Sequence, residues 1–399
     1  MKWIYLAVTL INSEPCPVVI NVPNGFEFND FESRVETFHQ FLKQQDDQIK
    51  HSNTQLIFND RSFSGSKNFI TNKKVLDHDQ THCVTALVGG TSSDRVKQFL
   101  PLMVNFKNSN RNQSWLISPT ASDPEFGDLR WTTVHRKNMN KAASATEFSM
   151  KESTLLRMHS SDKYQCNAIS KTLKRLKVGT IVIISSTSAF GRHGSFVCKT
   201  ELARRSIVTK TILWVGEANM KDMIDSLYNM RYHSILLHTE RNLGMEILKY
   251  ADEKKMLGEN FRWFFTDDIT EGLLETNSQY LEKRNMLLTQ PVGGQGEYFE
   301  QVKKLLDFKN FSLYKQRTLD AITMALHIAA RGEIRPYEAF DGCAGKLGFT
   351  KTGGPLLPTY RKLFTKIKYR DVKKFLNLKK FCIEFSTSIL NIDGCMIST

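Results

Sequence analysis

The sequence predicts an α/β protein of two lobes, each a parallel β-sheet flanked by helices, and three observations predict it. Short runs rich in β-branched residues alternate with longer amphipathic segments from Pro17 onward, the pattern of parallel strands joined by crossover helices. The runs are apolar throughout, as strands covered on both faces require. The alternation breaks around Leu155 to Ser160 and again around Ile334 to Phe349, and two sheets joined by hinge crossings account for that better than one continuous sheet.

The expected strands, in order, are Val18–Val22, Thr54–Phe58, Val84–Gly89, Ser114–Ser118, Thr180–Ser185, Thr211–Val215, Ser234–His238 and Phe261–Thr266. Three stripes at helical spacing lie between or after them. Val96, Phe99, Leu100, Met103 and Val104 share one face, with Pro101 expected to kink it. Leu243, Ile247, Leu248 and Ala251 make a second stripe, and Leu319, Ile322, Leu326, Ala329 and Ala330 a third. All three read as core faces. Residues Asp128 to Thr154 are polar, basic and aperiodic, which predicts an inserted loop.

With 399 residues, 41% hydrophobic and 24% charged, the chain has ordinary globular composition and enough length to bury a sizeable core. Its net charge of +14 says little until the charge is located. One concentration is Arg361–Lys380, with nine basic residues and one acid, which reads first as a solvated, partly amphipathic face. Nucleic acid is not expected as a partner, since no helix-turn-helix precedes the first strand.

Residues 1–15 have one lysine, a short apolar block and a polar end, the outline of a secretory signal peptide, with a first β-strand as the other reading. Export would give meaning to the sequons at Asn112 and Asn310. Seven scattered cysteines fit neither a disulfide scaffold nor a zinc site, and the odd number leaves one free or paired with another chain. No run after residue 15 approaches the ~18–20 apolar residues of a spanning helix. Any membrane attachment is therefore expected through segments outside this chain.

Ligands of open parallel sheets gather at the carboxyl edge of the strands, and four strand ends here carry hydroxyls or carboxylates. These are Gly89–Asp94, Ser118–Ser122, Ser185–Gly191 and Thr266–Asp268. The first, with Ser92 and Ser93, suits an anion held at a helix start; a helix cap with turn glycines explains the same residues equally well. Four such ends fit a small polar ligand. Catalysis is not expected, because no nucleophile elbow, phosphate loop, zinc-protease motif or dinucleotide fingerprint is present in context. No cofactor or metal is expected either, and the ten histidines read as surface or core.

Read together, five motifs resemble the receptor family ligand-binding region, the bilobed ectodomain of glutamate, GABA-B and guanylate cyclase receptors. They are Leu87-Val-Gly-Gly-Thr-Ser-Ser93, Ile117–Asp128, Leu156-Arg-Met-His-Ser-Ser-Asp-Lys-Tyr-Gln165, Asp320–His327 and Phe340–Phe349, in the family's order and at its spacing. The resemblance implies the type I periplasmic-binding-protein fold, two Rossmann-like lobes joined by hinge crossings. It places lobe 1 in residues 17–160 and 287–335 and lobe 2 in 161–286 and 336–399. By motif position it carries ligand contacts onto Ser93, Ser122, Asp162, Phe190 and Asp267, with Ser92 beside them. Phe190 stands where amino-acid-binding members have tyrosine, and Gly90 where they have proline. The resemblance also implies a disulfide at Cys83, with no obvious partner in sequence, and leaves Cys343 as a candidate free thiol.

The function implied is an extracellular module, secreted or part of a plasma-membrane receptor, that binds a small, amino-acid-like ligand in the interlobe cleft and signals by closure. The rival expectation is an amino-terminal assembly domain of an ionotropic glutamate-type receptor with no agonist of its own. Either would form a homo- or heterodimer through lobe 1.

Overall fold

The computed structural model describes residues 18–21, 28–59, 85–90, 93–103, 114–123, 126, 155–214, 219–230, 232–258, 260–276, 279–283, 285–291, 293–294, 296–308, 311–331, 340–349 and 360–364. The expected signal peptide, the loop at 128–154, both sequons, Ser92, Cys83 and nearly all of the basic run at 361–380 lie outside them. The chain divides into two compact units. Unit 1 holds 1–121, 126–160 and 293–356; unit 2 holds 122–125, 161–292 and 357–399.

In chain order the elements are β1 (Val18–Asn21), α1 (Phe28–Gln45), α2 (Asp47–Lys50), β2 (Leu56–Asn59), β3 (Ala86–Val88), α3 (Ser93–Met103), β4 (Trp115–Ser118), β5 (Leu155–Arg157), α4 (Asp162–Arg175), β6 (Thr180–Ser186), α5 (Ala189–Ala203), β7 (Val208–Trp214), α6 (Met220–Asn229), β8 (Ser234–His238), α7 (Arg241–Glu253), β9 (Arg262–Phe265), α8 (Asp267–Glu275), β10 (Met286–Pro291), α9 (Glu297–Leu305), α10 (Leu313–Arg331), β11 (Phe340–Gly342), β12 (Gly345–Leu347) and β13 (Tyr360–Phe364).

Unit 1 is built on a parallel sheet of order β2-β1-β3-β4-β5. Its inner strands bury both faces, as their unbroken apolar character requires, while the edge strand β2 is half-buried. Val18 and Ile20 join the large cluster under α1, α9 and α10, while Val19, Leu87, Leu116 and Leu155 meet Val96 and Phe99 of α3 on the other side. The expected stripe of Leu319, Ile322 and Leu326 is the buried face of α10. Asp320, a fully buried acid of this unit, accepts the backbone N–H groups of Cys343 and of Ala344 (2.9 Å) at the turn of the β11–β12 hairpin. That single carboxylate ties the hairpin to the long helix. Cys343 is buried and free.

Unit 2 repeats the plan. Its sheet runs β13-β10-β9-β8-β6-β7, so the five parallel strands follow the same winding order as those of unit 1, with β13 added antiparallel to β10. Ile181, Ile183, Leu236, Phe264 and Leu287 pack under α4 and α5; Val182, Ile184, Ile235, Leu237 and Phe265 pack under α6, α7 and α8. A disulfide joins Cys166 of α4 to Cys198 of α5, a pairing the sequence does not reveal.

Several boundaries differ from the sequence expectation. The break at 155–160 contains a short strand, β5, and the chain then passes to unit 2 at 160–161. It returns at 292–293, later than 286–287, because β10 pairs with β9 and stays in the second sheet. The β11–β12 hairpin belongs to unit 1, so the last passage falls at 356–357. β7 begins at Val208, three residues ahead of the expected run, where polar residues alternate with apolar ones along a sheet edge.

Candidate functional site

Each winding reversal leaves a crevice at the carboxyl edge of its sheet, between β1 and β3 in unit 1 and between β6 and β8 in unit 2. The two units are built differently at these points.

In unit 1, β3 ends in Gly89-Gly90. Gly90 has φ +71°, and a Cβ there would come within 2.6 Å of Val96 Cγ2, so glycine is required. The Ser118 hydroxyl donates to the Gly90 carbonyl (2.6 Å) and accepts the Ala121 N–H (3.1 Å). Ser118 thus stitches the ends of two strands together. Ser93 opens α3 and is buried. Among these hydroxyls, the one whose bonds are fixed serves the backbone.

In unit 2 the strand ends form a polar row. On β6, β8, β9 and β10 the residues facing α4 and α5 are Ile183, Leu236, Phe264 and Leu287. Two positions on, the same face carries Ser185, His238, Thr266 and Thr289, all fully buried. Ser185 and His238 are register partners across the winding reversal. An apolar layer therefore ends in a polar one at the strand tips.

The bonds of this row fix its protons. The Ser185 hydroxyl donates to the Gly191 carbonyl (2.6 Å). Thr289 donates to the Phe265 carbonyl (2.7 Å), so its oxygen must accept from Gln165 Nε2 (3.1 Å). This orients the Gln165 amide and leaves its Oε1, buried, with no hydrogen-bond partner among the described residues. His238 Nε2 lies 3.3 Å from the Phe190 carbonyl, an acceptor, so Nε2 carries the proton and Nδ1 is a bare acceptor. It too is buried and without a partner among the described residues. Burial holds the His238 pKa below its ordinary value, which keeps the ring neutral at pH 7. Gly194 makes room for it: a Cβ there would lie 1.9 Å from His238 Nε2.

Around the row stand residues expected from the sequence. The Phe190 ring packs against His238 at a tilt of 37°, centroids 4.4 Å apart, and α5 is capped by Ser188, which accepts the Gly191 N–H (3.0 Å). Asp162, the first residue of α4, is fully buried, with Ser161 capping the helix; its N–H donates to the Ser122 carbonyl (3.1 Å). Asp267 opens α8 and acts electrostatically on His238. Its neighbour Asp268 accepts the Arg241 N–H (2.8 Å) at the start of α7. Burial, and then Asp267, push the Asp268 pKa up to about 7. Asp123 meets His193 at 2.8 Å.

The structure thus brings Phe190 and Asp267 to one partner, His238, which the sequence reading left among the dispersed histidines. Gln165 and Thr289 carry no site signal in the sequence either. Ser93 lies in unit 1, and Ser92 lies outside the described residues. Chemically, the row offers two neutral acceptors flanked by carboxylates, a setting suited to an N–H or ammonium donor. Among the described residues no cluster of histidine, cysteine and acidic side chains could hold a metal ion, and no helix is long and apolar enough to cross a membrane.

A scan of protein-family models matches residues 4–330 to the receptor family ligand-binding region. No curated protein gives a significant match. Among solved structures, a leucine-binding protein of Thermotoga maritima aligns with a TM-score of 0.63 at 13% identity, covering 88% of this chain and 95% of that one. A solute-binding protein of an ABC transporter from Rhodopseudomonas palustris, bound to 3,4-dihydroxybenzoic acid, gives 0.62 at 11%, covering 89% and 94%. A substrate-binding protein from Desulfitobacterium hafniense, in complex with leucine, gives 0.60 at 11%, covering 87% and 97%. At these identities the likeness is one of fold.

Proposed function

The chain belongs to the receptor family ligand-binding region, and we propose that it binds a small polar ligand bearing an N–H or ammonium group at the strand ends of unit 2. The observation that carries this reading is the polar row with its two unmatched acceptors, Gln165 Oε1 and His238 Nδ1. A buried acceptor without a donor costs about 1–3 kcal/mol. Such a cost at the tips of strands flanking a winding reversal is recovered when a ligand supplies the donor. An amino acid fits: its ammonium meets the acceptors, with Asp267 and Asp162 supplying negative charge and Phe190 an apolar wall. The leucine complex of one structurally similar protein makes amino acids the first candidates, and the dihydroxybenzoate complex of another makes aromatic acids the second.

In this reading the chain acts by binding without turnover. It is an extracellular module of a cell-surface receptor, and a ligand that touched both units would favour a closed state by its differential affinity for the two. The test is a thermal-shift screen of the folded chain against the twenty amino acids and benzoate derivatives. A ligand-specific rise in Tm that is lost in Asp267→Ala and His238→Phe supports the reading. No shift from any probe would favour the assembly-domain alternative.

A further inference from the structure

The two helix layers that sandwich the sheet of unit 2 carry opposite charge. Helices α4 and α5 contain six lysines and arginines against two acids, Asp162 and Glu201. Both acids are buried, and Glu201 is taken up by Arg204 and Arg205. Helices α6, α7 and α8 contain three basic residues against nine acids. On that side, much of the charge is matched locally: Arg241 meets Glu271 and Glu275, Lys254 meets Asp225, and Lys283 meets Asp252.

On the basic side Arg204 and Arg205 are matched by Glu201, and the cations of the outer stripes are not. Lys163, Lys171, Lys174, Lys177, Arg192 and Lys199 are exposed and make no ion pair among the described residues. They are arrayed on helical stripes. In α4, Lys163, Asn167, Lys171 and Lys174 share a face, spanning about 16 Å at 1.5 Å per residue. In α5, Arg192, Phe196 and Lys199 share another. The helices pack side by side, tied through Cys166 and Cys198, so the two stripes are held as parallel rows. Between the cations stand Phe196, 70% exposed, and Tyr164, 48% exposed. Large rings left in water beside unpaired cations mark a contact surface.

We propose that this α4–α5 face docks a linear sulfated polysaccharide. Rows of lysine along a fixed ridge match anions repeated along an extended chain, and exposed rings offer apolar area to the C–H faces of sugar rings. The disulfide beneath the face places the chain in an oxidising compartment, where sulfated sugars are the abundant linear polyanions. The acidic face of a second copy is a poorer match, because four of its nine carboxylates are paired within their own unit and Asp267 and Asp268 are taken up at the strand ends. The docking surface is separate from the strand-end site, and none of its six cations belongs to the polar row.

The test is binding of the full, disulfide-bonded chain to immobilised heparin, with chemically desulfated heparin, a DNA duplex and phosphatidylserine vesicles in parallel. The triple variant K171E/K174E/K199E is compared with K221E/K249E/K255E, which changes net charge equally on the α6–α8 side. Salt-sensitive heparin binding is expected, weakened about tenfold by the first triple and little by the second, and lost on desulfation. Equal weakening by both triples would reduce the effect to net charge and overturn the proposal. So would tighter binding to vesicles or DNA than to heparin, or low-salt self-association that the first triple abolishes in place of heparin binding.

Discussion

Two buried polar groupings, one in each unit, have opposite accounts. Asp320 of unit 1 is sealed from water, and the two N–H groups of the hairpin turn answer it. The row at the tips of β6, β8, β9 and β10 in unit 2 is sealed as deeply, yet two of its acceptors meet nothing among the described residues. The first is architecture: each of its two oxygens accepts an N–H from within the chain, and removing it would undo a connection. The second holds bonds in reserve. On the proposed function, an unmet acceptor at a strand tip, more than burial alone, marks the residue that a ligand would answer.

Predictions follow in falling order of size, each aimed at that contrast. Cys166→Ala with Cys198→Ala should lower unfolding free energy by about 3–4 kcal/mol in urea, since the crosslink closes a 32-residue separation. The loss should also loosen the α4–α5 roof over the polar row. Asp320→Ala should cost about 2–4 kcal/mol, because two buried N–H groups lose their acceptor. A cost below about 0.5 kcal/mol would show that the hairpin is not held by this carboxylate.

The third prediction concerns pH. Burial raises the Asp320 pKa to about 7, against the pull of the Ala344 and Cys343 N–H groups. Between about pH 4 and pH 7 the folded chain therefore holds a proton there that the unfolded chain has released. Asp320's contribution to stability must then fall as pH rises through that window. His39 and His238, depressed by burial, act in the opposite sense, so the comparison is made against Asp320→Asn. The wild type should lose about 3 kcal/mol relative to that variant between pH 5 and pH 8. A constant difference would contradict the assignment.

The smallest effect on stability is the most informative. Gln165→Met and His238→Phe each remove an unmatched acceptor, along with one bond to Thr289 or to the Phe190 carbonyl, while keeping most of the packing volume. Each should change stability by no more than about 1 kcal/mol, in contrast to Asp320→Ala. If either destabilised the chain as much as Asp320→Ala, the row would be architecture as well.

Much of the architecture was legible because its signals are local. Ser234–His238 reads as a strand from five consecutive residues, and Leu319, Ile322 and Leu326 read as a buried helical stripe. Phe190 and Asp267 fall within strand ends read locally, whereas Asp162 was reached only through the family motif; each opens its helix or sits in its first turn. What failed was non-local. β5 is three residues long, too short for a period. β13 lies in a basic run that reads as solvated charge, and only its pairing with β10 makes it a strand. The bond from Gln165 to Thr289 crosses 124 positions, so neither residue announces the other. His238 has the look of any core histidine until the Phe190 carbonyl fixes its tautomer.

The central claim is best tested by calorimetric titration of the twenty amino acids into the wild-type chain and into the Gln165→Met/His238→Phe double variant, both shown to be folded. The account predicts a saturable isotherm for at least one amino acid in the wild type and its loss in the double variant at nearly unchanged Tm. An isotherm that survives the double substitution, or none in the folded wild type, would contradict it.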